Sequence, residues 1–182
     1  ANKIDEMIER IESLSRHIVQ TQQRLYESEI AQKDASLYAL QAQLNPHFMY
    51  NTLDCICGIA NVSGTPQIAD VAVALATMLR YSLSGKTIVP LTEEIEIVKN
   101  YLSIMEVRHP NFFTAEFNIS PAAEELMCPK MLLQPIIENT FKHGFVPRTK
   151  NAHIVISANV DTDRLIITIF DNGKGFPKET LS

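Results

Sequence analysis

QPIIENTFKHG (residues 134–144) is the stretch on which the fold of this 182-residue chain turns. On a helix, Asn139, Lys142 and His143 fall at i, i+3 and i+4, so an amide oxygen, an ammonium and an imidazole share one surface. Mg²⁺ takes oxygen ligands and keeps several waters, which suits Asn139 or Glu138 beside phosphates whose charge Lys142 would neutralise. Read alone, the same residues are a helix C-terminus, with Lys142 and His143 complementing the dipole before a Gly144 cap. DNGKGF (171–176) then follows a strand pattern. Asp171 ends that strand, and Gly173 and Gly175 let backbone approach a flat ligand while the carboxylate accepts a hydrogen bond from an exocyclic amine such as that of adenine. Asp-Asn-Gly is also an ordinary turn signal. The chain has no GxxxxGK(S/T) loop, so a nucleotide would be held by another device.

Upstream, QLNPHFMYNTL (43–53) sets His47, Asn51 and Asp54 at helical spacing, opposite the apolar positions 48/49, 52/53 and 56. A free imidazole titrates at about 6.5, so much of it is a neutral nucleophile at neutral pH. Asn51 or Asp54 could orient the ring and take its proton. Asn51, one turn beyond His47, is expected to serve dephosphorylation more than phosphorylation, by setting a water against an aspartyl phosphate on a docked partner. The apolar stripe runs through Pro46 and favours one helix kinked there, although Asn45-Pro46 also suits an N-cap followed by the first position of a new helix. His17 and His109 have no such company.

Further out, Ile4, Met7, Ile11, Leu14, Ile18 and Leu25 form a short heptad array over residues 1–33, with a register shift near 26–30. Two apolar-striped helices follow, joined by a turn at 61–66, and a helical hairpin of this kind buries both faces only in a dimeric four-helix bundle. Residues 85–90 break the pattern and mark a boundary. Beyond it come a helix opened by Thr92-Glu-Glu, a strand at 113–119, a helix from about Lys130 to His143, and strands at 153–160 and 164–170. Helices on one face of a mixed sheet make an α/β sandwich.

The net charge of −5, with no dense basic block, argues against nucleic acid. No apolar run is long enough for a membrane span, and no signal peptide opens the chain. Cys55, Cys57 and Cys128 fit neither a disulfide framework nor paired metal spacing; a reduced compartment fits best, with Cys55 and Cys57 as buried small hydrophobes.

Taken together, QLNPHFMYNTL, LTEEIEIVKNYL, PKMLLQPIIENTFKHG and DNGKGF resemble the LytS-type subfamily of sensor histidine kinases, from about Ala39 to Phe176. The resemblance implies an α+β chain: a coiled-coil stalk (1–33), a helical-hairpin dimerisation and phosphotransfer unit (34–88), and an ATP-binding α/β sandwich of the Bergerat type (89–182), incomplete at its C-terminal end. It implies ATP-dependent autophosphorylation on His47, with Mg²⁺ on Asn139, and transfer to an aspartate of a response-regulator receiver domain. Lys142 and His143 become phosphate contacts, Asp171 the adenine reader, and Gly173 and Gly175 the turn opening an ATP lid. The expected setting is a homodimer, the cytoplasmic portion of a membrane protein, with a sensory or membrane domain upstream. Phe48 stands where commoner histidine kinases carry an acidic residue, which leaves the general base unassigned. Two alternatives remain: a non-catalytic dimeric scaffold, and a hydrolytic ATPase of the gyrase and MutL kind, which resembles this chain less because Pro135 occupies the position of its general-base Glu.

Overall fold

The computed structural model describes residues 7, 10, 17, 20–33, 45–145 and 151–175. The chain divides into two units, Ala1–Asn45 and Pro46–Ser182. In the first, residues 20–33 are one unbroken helix, exposed throughout. Its surface carries an i,i+4 ion pair, Glu29 to Lys33 at 2.9 Å. Of the expected heptad seam, Met7 and Leu25 are exposed in the single chain, and Ile4, Ile11, Leu14 and Ile18 lie outside the described residues.

The second unit begins with a helical hairpin, α1 (Pro46–Val62) and α2 (Pro66–Leu83). The helix does not run through Pro46 as a kink. Asn45 has φ +39, so α1 starts at Pro46, where the missing N–H is one the helix would leave unpaired anyway. Gly64, at φ +68, supplies the left-handed residue of the intervening turn, which Thr65 N–H closes onto the Ala60 carbonyl at 2.9 Å. Ala60, Ala69, Ala72 and Ala76 are buried, small enough to let the packed helices approach closely. Cys55 is exposed rather than buried, because it falls on the face of α1 turned away from α2.

Strand β1 (Ile88–Pro90) leads directly into α3 (Leu91–Arg108). It pairs antiparallel with β3 (Met127–Pro129), so the pattern break at 85–90 is itself a sheet edge. Neither short strand has enough residues to show an alternating pattern. Between them lie β2 (Phe113–Ile119) and a four-residue helix, α4 (Pro121–Glu124). The main sheet has order β2-β4-β5, with β4 (Ala152–Asp161) parallel to β2 and antiparallel to β5 (Arg164–Asp171). Burial along β4 alternates: Ala152, Ile154, Ile156 and Ala158 face the helices. These residues join Leu91, Val98, Leu133 and Ile137 in one core, giving the α/β sandwich.

The helix expected from Lys130 to His143 is shorter. Residues 130–133 are a turn, with Met131 at φ +61, and α5 spans only Gln134–Asn139. Thr140–Gly144 then widens into a single π-helical turn, in which the Phe145 N–H reaches the Thr140 carbonyl at 2.8 Å. Aromatic packing accompanies the widening. The Phe141 ring stands edge-on to Phe113, Phe145 and Tyr101, with centroids 4.9, 5.5 and 5.8 Å away, anchoring the turn to β2 and α3.

Candidate functional site

On α1, His47, Asn51 and Asp54 are all exposed, as their helical spacing requires. Asn51 Nδ2 lies 3.3 Å from His47 Nδ1. Asp54 belongs to the same stripe but makes no hydrogen bond to the ring. Beside them runs an open apolar seam, Phe48, Cys55, Ile59 and Val62, with Thr52 in the remaining position; the spacing of four and three is that of a coiled-coil face. Ile59 is 62% exposed and Val62 91%.

The second group forms where α5 ends. Glu138 is half-buried, and its carboxylate is gripped from both sides: Gln134 Nε2 donates to Oε1 at 2.8 Å, and Lys142 Nζ lies 3.4 Å from Oε2. Asn139, Lys142 and His143 are exposed. Asn139 ends the α-helix, whereas Lys142 and His143 stand on the π turn that follows, so the three do not share one regular α-helical segment. Gly144 does not take the left-handed conformation of a helix cap.

That rim meets the Asp171 turn. The Asp171 carboxylate accepts from Thr140 Oγ1 at 3.2 Å and from the Gly173 N–H at 2.9 Å. Lys174 N–H donates to the Gly144 carbonyl at 3.0 Å. A side chain on Gly173 would place its Cβ 2.7 Å from the Gly144 carbonyl carbon and oxygen, so glycine is required there by contact with backbone. Gly175 needs glycine for a different reason, its φ of +68. Asn172 ties the turn to β4, accepting from the His153 N–H at 2.8 Å and donating to the Asn151 carbonyl at 2.9 Å.

The structure therefore gathers Glu138, Asn139, Lys142, His143, Gly144, Asp171 and Gly173 around one junction, and places His47 and Asn51 together on the hairpin. Thr140 is the member of the junction that spacing does not single out. It lies on the inward side of the Asn139 helix, but a buried threonine has no local mark of a polar partner 31 residues away. Among the described residues no three His, Cys, Asp or Glu side chains cluster to hold a metal by themselves. A hard cation that keeps most of its waters needs fewer protein ligands. The oxygens of Glu138 and Asn139, with a buried and unpartnered Gln134 Oε1 beside Glu138, fit such an ion. Among the described residues no helix is long and apolar enough to cross a membrane.

Comparison with known proteins adds a family. The histidine kinase profile matches residues 35–113. The Sensor protein LytS of Staphylococcus epidermidis is 32% identical over 151 residues, 82% of this chain and 25% of that protein. The Sensor histidine kinase YesM of Bacillus subtilis is 35% identical over 150 residues, 82% and 26% respectively. The LytS protein of Enterococcus faecalis is 31% identical over 167 residues, 89% and 28%. The chain thus spans about a quarter of the length of the curated relatives it matches. Among solved structures, the histidine kinase domain of the Erythrobacter litoralis EL346 blue-light activated histidine kinase gives a TM-score of 0.40 at 14% identity, covering 71% of this chain and 64% of that one, a likeness that carries no argument.

Proposed function

This chain belongs to the LytS-type histidine kinases, and from that membership we propose that it carries the phosphoacceptor and part of the nucleotide site of a two-component sensor kinase. One observation supports the nucleotide reading above the others: two segments distant in sequence close on each other, with Gly173 against Gly144 and Asp171 held by Thr140. Both donors hold the carboxylate in place, and each oxygen keeps a second lone pair for the exocyclic amine of adenine. Lys142 and His143 line the rim on which phosphates would lie, and Glu138 and Asn139 would hold Mg²⁺ there. When bound there, Mg²⁺ would supply neutralisation of phosphate charge.

His47 is the proposed acceptor. A ring nitrogen forms a bond to the γ-phosphorus as the bond to the β,γ-bridging oxygen breaks, and ADP leaves with that electron pair. With the Asn51 amide oxygen accepting from Nδ1–H, the nucleophilic lone pair would sit on Nε2, the ring nitrogen away from that 3.3 Å contact. In-line attack needs room for nucleotide and then for a receiver domain, and an exposed hairpin helix offers both. The open seam of Cys55, Ile59 and Val62 supports dimerisation of the hairpin, since a lone hairpin leaves it in water.

The test uses the full-length protein with His47→Gln. Label from radioactive ATP should disappear from acid-labile linkage while nucleotide affinity stays unchanged. Label persisting on that variant, or mapping to another histidine, would overturn the assignment.

A further inference from the structure

Glu94 is the only charged side chain buried among the described residues, at 1% exposure. A buried carboxylate is tolerated when its oxygens are fully hydrogen-bonded, and here three donors converge on it from two other parts of the chain. Tyr81 Oη donates to Oε1 from the last turn of α2. The Met131 N–H donates to the same oxygen at 2.6 Å, and the Leu133 N–H to Oε2 at 2.8 Å. Nearby, Lys130 Nζ donates to the Ser82 and Ser84 carbonyls at 3.1 and 2.7 Å and lies 5.1 Å from the Tyr81 ring centroid. Cys128, the remaining titratable neighbour, is buried.

The place of these contacts matters more than their number. Residues 130–133 launch α5, and Met131 holds a left-handed backbone that a non-glycine residue adopts only when its surroundings impose it. The helix has no cap of its own, because Leu133 precedes it and offers no side-chain acceptor. Glu94 takes that part from 39 residues away, anchoring the start of α5 by two backbone N–H groups and supplying negative charge at its positive end. The opposite end of this six-residue helix carries Glu138 and Asn139.

We propose that Glu94, bound to Tyr81, is a positioning residue that fixes the nucleotide-side helix α5 to the hairpin carrying His47, so that the bond between them aligns nucleotide and acceptor for phosphoryl transfer. The alignment rests on the function proposed above; the mechanical joint does not.

Tyr81→Phe removes the one hydroxyl and leaves Glu94 with its two backbone donors, so it is the variant least prone to misfold. In the full-length protein it should leave ATP affinity within about twofold, lower the autophosphorylation rate at saturating ATP about tenfold, and speed amide exchange over residues 131–140. Glu94→Gln, where it folds, should show the same pattern more strongly. An Ile156→Val variant, which destabilises the core without touching the joint, should lose melting temperature but keep the rate. An unchanged rate and unchanged exchange in Tyr81→Phe would overturn the proposal, as would ATP affinity falling in step with the rate. If the unmutated protein forms no phosphohistidine, it is the kinase reading that fails. The exchange measurement then decides the joint by itself, accelerated exchange over 131–140 supporting it and wild-type exchange refuting it.

Discussion

Asn51 Nδ2 stands 3.3 Å from His47 Nδ1, one helical turn along α1, while Asp54 on the same stripe makes no hydrogen bond to the ring. In the proposed acceptor site the residue in reach of the imidazole is therefore the amide, and both side chains stand on one helix rather than on a loop. An amide is a poor proton acceptor. Its part is to set the tautomer and the ring plane.

Asn51→Ala is accordingly expected to slow autophosphorylation about tenfold, the rate equivalent of ~1.4 kcal/mol and near the contribution of one neutral hydrogen bond. Nucleotide affinity should not change, because Asn51 is on the hairpin and the proposed nucleotide rim is on α5 and the π turn. Single-turnover labelling checks this; a wild-type rate would leave Asn51 only the positioning of water against the partner's aspartyl phosphate.

Gly173→Ala should abolish ATP binding, since the added Cβ would lie 2.7 Å from the Gly144 backbone and 2.8 Å from Asp171 Oδ1, so relief of the clash must shift that backbone or displace the carboxylate. Gly175→Ala has open space and meets only the cost of φ +68, on the order of 1–2 kcal/mol. Titration with ATP and GTP should show the first variant silent and the second weakened with its adenine preference intact.

Ile59→Asp should split the dimer. Ile59 sits in the open seam of α1, and a carboxylate there would be buried against its symmetry mate in a bundle. Sedimentation at micromolar concentration should give a dimer for the unmutated protein and a monomer for the variant; if both are monomeric, the seam is covered by something else.

Stability should fall on the alkaline side, in part through Tyr81. Burial, with the Glu94 carboxylate beside it, raises the Tyr81 phenol above its ordinary value. The unfolded tyrosine ionises near pH 10, so the contribution of the protonated phenol is intact below about pH 10 and is lost as pH rises from there through the folded value. Cys128, raised by burial, acts with the same sign from its own ordinary value upward. Lys130, lowered mainly by burial, acts oppositely, since the unfolded chain binds more protons below about 10.5. Comparing urea unfolding of wild type and Tyr81→Phe between about pH 9 and 11 isolates the phenol. The wild type should lose up to about 1.4 kcal/mol per pH unit more than the variant above pH 10, and parallel slopes would refute the assignment.

What is legible in the sequence is what local periodicity encodes. Alternation with period two marks β2, β4 and β5 nearly to the residue, because one face of each strand must meet the helices. Helical spacing and the Gly64-Thr-Pro66 turn mark the hairpin, and the same spacing by itself sets His47 and Asn51 one turn apart. Tertiary structure decides the rest. The π turn, with Phe141 among rings of α3 and β2, replaces the α-helix expected to run on to His143. The short strands β1 and β3 exist only by pairing with each other. The start of α5 is set by a carboxylate from α3, and the grip of Thr140 on Asp171 and the contact of Gly173 with Gly144 form where two distant segments close. Each of these depends on a partner that sequence spacing does not reveal, because the hydrogen bond or steric contact forms only once the core has brought the segments together.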